Sequence, residues 1–382
     1  METILRPHQK RIIEQNPNRA LLVWAPRTGK SLAGQEWIND PVRVEHSYVL
    51  CLKKNKKEWK ERCPHSTVLT KEEFRKDPSV IQNPTALLID EQHHYHSPLF
   101  IAKKRSLLAT ALYTIVKNNP SMHLMGLTGT PLTNDPASIH TLLVYLGKYI
   151  PWGEFQDRFY ELKYMPFLPR PAYFPIKNWR EPANELLRKY TDIVSLKDCV
   201  DWLPPEMVEV VEMKTKPKVY AEDEEYHWTK NHKHEQSEKV ERIKEIGEGY
   251  RKVIVVCHYT EQIEDLAKKL KSQKPVFVLN GQTKDQQKVI KEAQESTDCY
   301  LITQAGMGEG YDGYSFDAMV FASMAHRVTH HTQMKARLDT LEKQYMKPKI
   351  YIYLIGGLWD RKIYNSIMEG EDFNPHKYHE QH

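Results

Sequence analysis

Trp24 to Ser31 reads WAPRTGKS, and it closes an apolar run, Ala20 to Ala25 (ALLVWA), where a helical pattern opens at Lys30. A buried strand, a tight turn and a helix start in that order are the context of the phosphate-binding pattern G-x-x-x-x-G-K-[ST]. In that setting the backbone amides of Thr28, Gly29 and Lys30 would wrap a β-phosphate at a helix N-terminus, where the dipole favours anions. The Lys30 ammonium would reach the β- and γ-phosphates, and the Ser31 hydroxyl would ligate magnesium. Trp24 stands where the pattern has its first glycine. A bare Gly-Lys-Ser also starts helices that hold no ligand. The strand in front of it makes the phosphate reading the stronger one.

On either side of this turn, short apolar runs alternate with helical patterns, which signals a parallel sheet covered by helices. Ala20–Ala25, Ser47–Leu52, Ala86–Asp90 and His123–Leu127 read as buried strands, with helices from Lys30, from about Asn55 and from about Lys103 to Val116. The alternation returns at Lys252–Cys257, Val276–Leu279, Tyr300–Thr303, Ala318–Ala322 and Lys349–Leu354, with helices at Glu261–Lys271, Lys284–Glu295 and Thr329–Gln344. Gly147 to Pro182 holds six prolines and many aromatics without a clean period, and reads as an irregular connection ahead of a short helix, Ala183–Tyr190. Val194–Pro205 is loop-rich, and Tyr220–Arg242 is a charged helical stretch. The expectation is an α/β chain of two tandem parallel-sheet lobes: 1–146 and 206–365, a connecting segment at 147–205, and a tail at 366–382.

The chain has 382 residues with 55 Lys and Arg against 50 Asp and Glu, and 40% of it is hydrophobic, enough for two cores. No apolar run approaches the roughly 18 residues of a membrane span, and METILRPHQKRIIEQ has no signal-peptide core. The five cysteines are scattered, with no C-x-x-C pair, which argues against a disulfide framework or a cysteine-rich zinc site. A soluble protein of a reducing cytoplasm is expected. The net charge of +5 permits a polyanionic partner without requiring one.

TALLIDEQHHYH places Asp90 and Glu91 at the end of an apolar strand, where ligands bind in parallel sheets. There Asp90 would hold magnesium and Glu91 would orient and deprotonate an attacking water, with His93 completing a D-E-x-H box. The next strand ends in LTGTP, Leu127 to Pro131, whose Thr128 and Thr130 can bond to the acidic turn and relay nucleotide state. His94 and His96 suggest a metal only if a second cluster converges on them, and read as part of a surface turn. HWTKNHKH, His227 to His234, reads as a solvated helix, with a metal site or a pH-sensitive patch as the alternatives. The basic run Lys53, Lys54, Lys56, Lys57, Lys60 reads either as a solvated helix face or as a phosphate grip.

In this order the boxes resemble a superfamily-two helicase or translocase, and more narrowly the Swi/Snf-type DNA-dependent ATPases, from Leu5 to about Leu354. LRPHQ (Leu5–Gln9) resembles the group's leading element, whose glutamine reads adenine. LKKNKKEW (Leu52–Trp59) resembles the segment after the second strand, and VSLKDCVDWLPPEMVEVVEM (Val194–Met213) the Leu-Pro-Pro junction between lobes. VIVVCHYT (Val253–Thr260) and LNGQT (Leu279–Thr283) resemble the first strands of the second lobe. ITQAGMGEGYDGYS (Ile302–Ser315) resembles the Gly-rich box, and HHTQMKARLDT (His330–Thr340) the arginine-finger helix.

The resemblance implies RecA-like lobes and a nucleic-acid-dependent ATPase using ATP and magnesium in the cleft between them. ATP contacts would fall on Arg6, Gln9, Pro26, Arg27, Thr28, Gly29, Lys30, Ser31, Gly310 and Asp312, and magnesium on Ser31 and Asp90. Catalysis would rest on Glu91, Gln333 and Arg337, and coupling on His93, Thr128 and Thr130. Lys53, Lys54, Thr260, Thr303 and Gly306 would touch nucleic acid. Arg27 replaces the family's usual glycine and Thr340 its second finger arginine, so Arg337 is the remaining finger, with Arg327 and Lys343 as substitutes. With few insertions, the chain resembles minimal bacteriophage-encoded members, which places it in the cytoplasm of an infected bacterium. The implied function is monomeric, ATP-driven translocation on duplex DNA. The alternatives are a strand-separating or branch-migrating helicase on DNA or RNA, or an accessory ATPase docking a replication or nuclease partner. A helicase needs a wedge hairpin, and the sequence shows no obvious one, though the aromatic, Pro-rich Tyr149–Phe174 segment could hide it.

Overall fold

The central strands of this chain are apolar on both faces, so the sheets they form must be buried from two sides. The computed structural model describes residues 4–101, 105–132, 135–164, 171–214, 233–307 and 311–373. They form two units, Met1–Asp201 and Trp202–His382. The first unit carries β1 (Arg19–Trp24), β2 (Ser47–Cys51), β3 (Thr67–Thr70), β4 (Ala86–Ile89), β5 (His123–Thr128), a ribbon of β6 (Tyr160–Lys163) and β7 (Ala172–Pro175), and β8 (Asp192–Val194). Its main sheet has the order β3-β2-β4-β5-β1-β8, with every pairing parallel. In β4, Ala86 and Leu88 enter one core with Leu22, Val49 and Leu127, while Leu87 and Ile89 enter another with Leu50, Leu112 and Leu124. Each such leucine, isoleucine or valine contributes roughly 1.5–3 kcal/mol on burial, and this two-sided demand makes the strands read as continuous apolar runs.

The second unit repeats the plan with β9 (Glu206–Glu212), β10 (Lys252–Cys257), β11 (Val276–Leu279), β12 (Cys299–Gln304), β13 (Ala318–Phe321) and β14 (Lys349–Ile355). Its order is β11-β12-β10-β13-β14-β9, again all parallel. Ile254 and Val256 of β10 face one core, and Val253 and Val255 the other. These are two tandem RecA-like parallel-sheet lobes.

Several elements differ from the sequence expectation. β3 (TVLT) and the three-residue β8 (DIV) are edge strands, partly exposed, and leave no apolar run in the sequence. β9 (EMVEVVE) is an edge strand whose side chains are mostly exposed, so its alternation of Glu and Val imitates a junction. The stretch read as irregular holds the antiparallel ribbon β6–β7, with Leu162 opposite Tyr173. The helix expected over Thr329–Gln344 runs only from Val328 to Lys335, followed by a 3-10 turn, Ala336–Leu338. Its continuation is pre-empted at Arg337, whose carbonyl accepts the Gly313 amide at 2.9 Å.

Candidate functional site

Because β4, β5 and β1 are neighbours in a parallel sheet, their C-terminal ends lie side by side, and each ends in one of the motifs. After β1 the chain turns through Arg27, at φ 69°, and Gly29, at φ 85°, into the helix Lys30–Ile38. Glycine is favoured at position 29: its backbone is left-handed, and an added Cβ would stand 2.2 Å from Gln9 Nε2, so Gln9 would have to shift. Gln9 Nε2 donates to the Gly29 carbonyl at 3.0 Å, and its Oε1 accepts the Arg6 amide at 2.7 Å. His8, which sequence reasoning passed over, sits with Nε2 2.8 Å from the Thr28 carbonyl and its ring edge-on to Trp24. The helix Pro7–Gln15 thus buttresses the turn. Thr28 is fully buried, while Pro26, Arg27, Gly29, Lys30 and Ser31 are half-buried. Lys30 Nζ donates to the Trp24 carbonyl at 2.8 Å and the Ala25 carbonyl at 3.2 Å.

Asp90 and Glu91 follow β4. Asp90 is buried, and burial, then the adjacent Glu91 charge, push its carboxyl up to about 6. Hydrogen bonds from Trp59 and Asn55 and the Lys30 charge oppose that rise. Burial would also raise Glu91, but the hydrogen bond and charge of His93, with Lys30 behind them, hold it below the ordinary carboxylate range. His93 Nδ1 lies 3.3 Å from Glu91 Oε2 and 3.2 Å from Thr128 Oγ1, which in turn accepts the Thr130 amide at 3.1 Å. The acidic turn and the Thr-Gly-Thr loop are therefore joined through one imidazole. His96 is fully buried against the Pro131 carbonyl at 3.1 Å, and His94 is pushed down to about 3 chiefly by burial. The surface-turn reading of these two histidines is corrected: the loop packs inward because Tyr95 between them is a core residue.

The donor set fits a magnesium nucleotide: an ammonium, a hydroxyl, first-turn helix amides and two carboxylates stand at three adjacent strand ends. Among the described residues no group of three or more His, Cys, Asp or Glu could hold a metal by itself. Lys53 and Lys54 are exposed in the short turn after β2.

In the second unit, Arg337 and the Gly-rich box are brought together. Arg337 is buried, its Nη1 donates to the Tyr311 carbonyl at 2.7 Å and its Nε to the Gln333 carbonyl at 3.1 Å. Asp312, whose carbonyl accepts Gln294 Nε2 at 2.6 Å, is next in the chain. Gln333 is buried as well. Thr260 opens the helix Thr260–Leu270, and Gly306 is exposed just after β12. Thr303 differs from these: it is fully buried within β12. Gly310 and His227–His232 lie outside the described residues, as do the side chains of Lys233 and His234. Among the described residues no helix is long and apolar enough to cross a membrane.

No family model matches the chain, and neither does any curated protein. Among solved structures, S. cerevisiae Dbp5 bound to RNA and ADP BeF3 aligns with a TM-score of 0.55 at 12% identity, over 97% of this chain and 88% of that one. The Pyrococcus furiosus Hef helicase domain aligns with a TM-score of 0.51 at 12% identity, over 95% and 98%. The likeness is one of fold: two parallel-sheet α/β units in tandem.

Proposed function

We propose that this protein is a nucleic-acid-dependent ATPase that translocates on duplex DNA. The observation that carries the reading is the shared sheet edge, where Lys30, the Asp90–Glu91 pair and the His93–Thr128 link follow adjacent strands. Lys30 and the first-turn amides would hold the nucleotide phosphates, Ser31 and Asp90 the magnesium, and Glu91 the attacking water. Bound magnesium would neutralise charge on the phosphates. Lys53, Lys54, Thr260 and Gly306 would grip backbone phosphates, which carry no sequence information. That Dbp5 is solved with RNA and ADP BeF3 supports nucleotide and nucleic acid as the ligand classes. The choice of duplex rests on the LRPHQ and Leu-Pro-Pro elements shared with Swi/Snf-type translocases. ATPase rates with duplex DNA, single-stranded DNA, RNA and no nucleic acid, alongside triplex displacement, test it. Duplex-dependent turnover with triplex displacement is expected, and stimulation by single strands or RNA alone would overturn the choice of duplex.

A strand-separating helicase is the second reading, and the ribbon β6–β7 favours it. Leu162, Tyr164 and Tyr173 are 58%, 81% and 54% exposed, and the cross-strand pair puts Leu162 and Tyr173 on one face. Exposed aromatics of this kind stack on unpaired bases. Fork unwinding that disappears in a Tyr164→Ala, Tyr173→Ala double variant, with duplex-stimulated ATPase retained, would select this reading.

A further inference from the structure

The Asp90 carboxylate is not held by its own strand. Its Oδ2 accepts Trp59 Nε1 at 2.9 Å and Asn55 Nδ2 at 3.1 Å, and among the described residues these are its side-chain donors. Both come from the segment after β2, the strand beside β4, and the Asp90 amide itself donates to the Leu50 carbonyl of β2 at 2.8 Å. Asn55 and Trp59 are four residues apart, on one face of a helical turn that runs from Lys53 to Arg62. Trp59 is 2% exposed and belongs to the core, so its indole N–H is a fixed donor. Asn55 ends the 3-10 turn that also contains Lys53 and Lys54. A carboxylate once buried needs such donors, but stability alone does not ask for the carboxylate itself, since at a strand end it is a net cost that an apolar residue would avoid.

We infer that Asn55 and Trp59 are positioning residues that tie the grip on nucleic-acid phosphate to the magnesium ligand. Two donors on Oδ2 fix the carboxylate's rotation and leave its other oxygen to a cation, as outer-shell partners do for metal ligands generally. Lys53 and Lys54 precede Asn55 directly, so a phosphate that draws on these lysines shifts the amide that sets Asp90. Trp59, anchored in the core, is the fixed arm and Asn55 the movable one. Magnesium nucleotide and nucleic acid then bias the same turn, and their binding energies are coupled in both directions.

This inference rests on the proposed function, and the experiment separates the two. Anisotropy with a labelled duplex, a single strand and an RNA gives the nucleic-acid Kd with and without magnesium–ADP BeF3. Magnesium titration of a fluorescent nucleotide gives the half-saturating cation concentration without turnover. In the wild type the analogue is expected to change nucleic-acid Kd. In Asn55→Ala and Trp59→Phe that change should shrink towards one, and half-saturating magnesium should rise about tenfold or more. Kd without nucleotide should stay within about twofold, because the phosphate contacts are untouched. Lys53→Ala with Lys54→Ala should do the reverse, weakening nucleic acid while leaving half-saturating magnesium in place. Wild-type coupling and wild-type magnesium dependence in Asn55→Ala would overturn the inference, and this half-buried variant decides the matter even if Trp59→Phe fails to fold. If no probe binds the wild type, the proposed function falls first.

Discussion

At the scale of single residues, the acidic pair shows how neighbouring carboxyls acquire different roles. Asp90 is buried and Glu91 beside it half-buried, yet the side-chain donors to Asp90 are neutral, while Glu91 faces His93. The environment therefore leaves Glu91 the better-stabilised anion, in keeping with the water-orienting role proposed for it, and Asp90 the carboxyl that a bound cation would stabilise most. Glu91→Gln is expected to bind nucleotide and magnesium but turn over at least about a hundredfold more slowly. Lys30→Ala is expected to lose both affinity and turnover; the two profiles are separable by nucleotide titration and steady-state kinetics. With Asp90 pushed up to about 6, turnover should fall as pH drops through about 6. Excess magnesium should move that limb to lower pH, because the ligating form is the deprotonated one. The sign for stability is opposite. A raised folded value means that Asp90's contribution is fully present below the unfolded value of about 3.9 and is lost as pH rises through the folded one. A pH–rate profile at two magnesium concentrations checks the first statement, and metal-free melts between pH 4 and 7 check the second.

At the scale of elements, β9 is held to its sheet by ion pairs at its first residue. Glu206 bonds Lys335 at 2.8 Å and Lys349 at 3.3 Å, and Lys349 also meets Asp339 at 2.6 Å. Burial alone would raise Glu206 and lower Lys349, but each is carried the other way by its partners, Lys335 and Lys349 for the acid, Asp339 and Glu206 for the base. Glu206→Gln should cost under about 1 kcal/mol, since the carboxylate is half exposed. Asp339→Asn should cost about 2 kcal/mol, because Lys349 is then left largely buried with one weaker partner. Glu206's share is present above about pH 4.3 and lost as pH falls through its lowered value. Lys349's share is present below about pH 10.4 and lost as pH rises through its raised one. Urea unfolding of the two variants across pH measures both. These pairings could not be read from the sequence, because three separated segments supply them. The strands ALLVWA, ALLID and KVIVVC were legible, because a sheet buried on both faces demands unbroken apolar runs. So were Lys30, Asp90 and Glu91, because the phosphate turn and the acidic strand end are local patterns. β9 was hidden by its exposure, and the end of the finger helix by a tertiary bond to Gly313. Asn55 and Trp59 left a trace, an amide and an indole one turn apart in a lysine-rich run, but their target is 31 residues beyond Trp59.

At the scale of the whole molecule, the question is whether turnover needs both units. The phosphate turn and the acidic pair belong to the first, and Gln333 and Arg337 to the second. Arg337 has a structural occupation of its own, its guanidinium on the Tyr311 carbonyl and its backbone carbonyl on the Gly313 amide. A finger and a brace make different predictions for the same substitution. If Arg337 only braces the Gly-rich box, Arg337→Ala should lower the melting temperature and disturb kcat and KM together, as the Tyr311 carbonyl loses its guanidinium donor. If it also stabilises charge on the transferring phosphoryl group, Arg337→Ala should cut kcat by about a thousandfold or more with nucleotide affinity nearly intact. Arg337→Lys separates the two further: it keeps the charge and one donor to the Tyr311 carbonyl, so the melt should recover. It loses the planar fork that spans two acceptors, so kcat should not. We expect the second pattern, a restored melt with kcat still depressed, because Arg337 is the arginine that remains in the helix resembling the arginine-finger element. A lysine variant with both melt and kcat restored would make Arg337 a brace, and would leave the first unit as an ATPase that draws its transition-state cation from elsewhere.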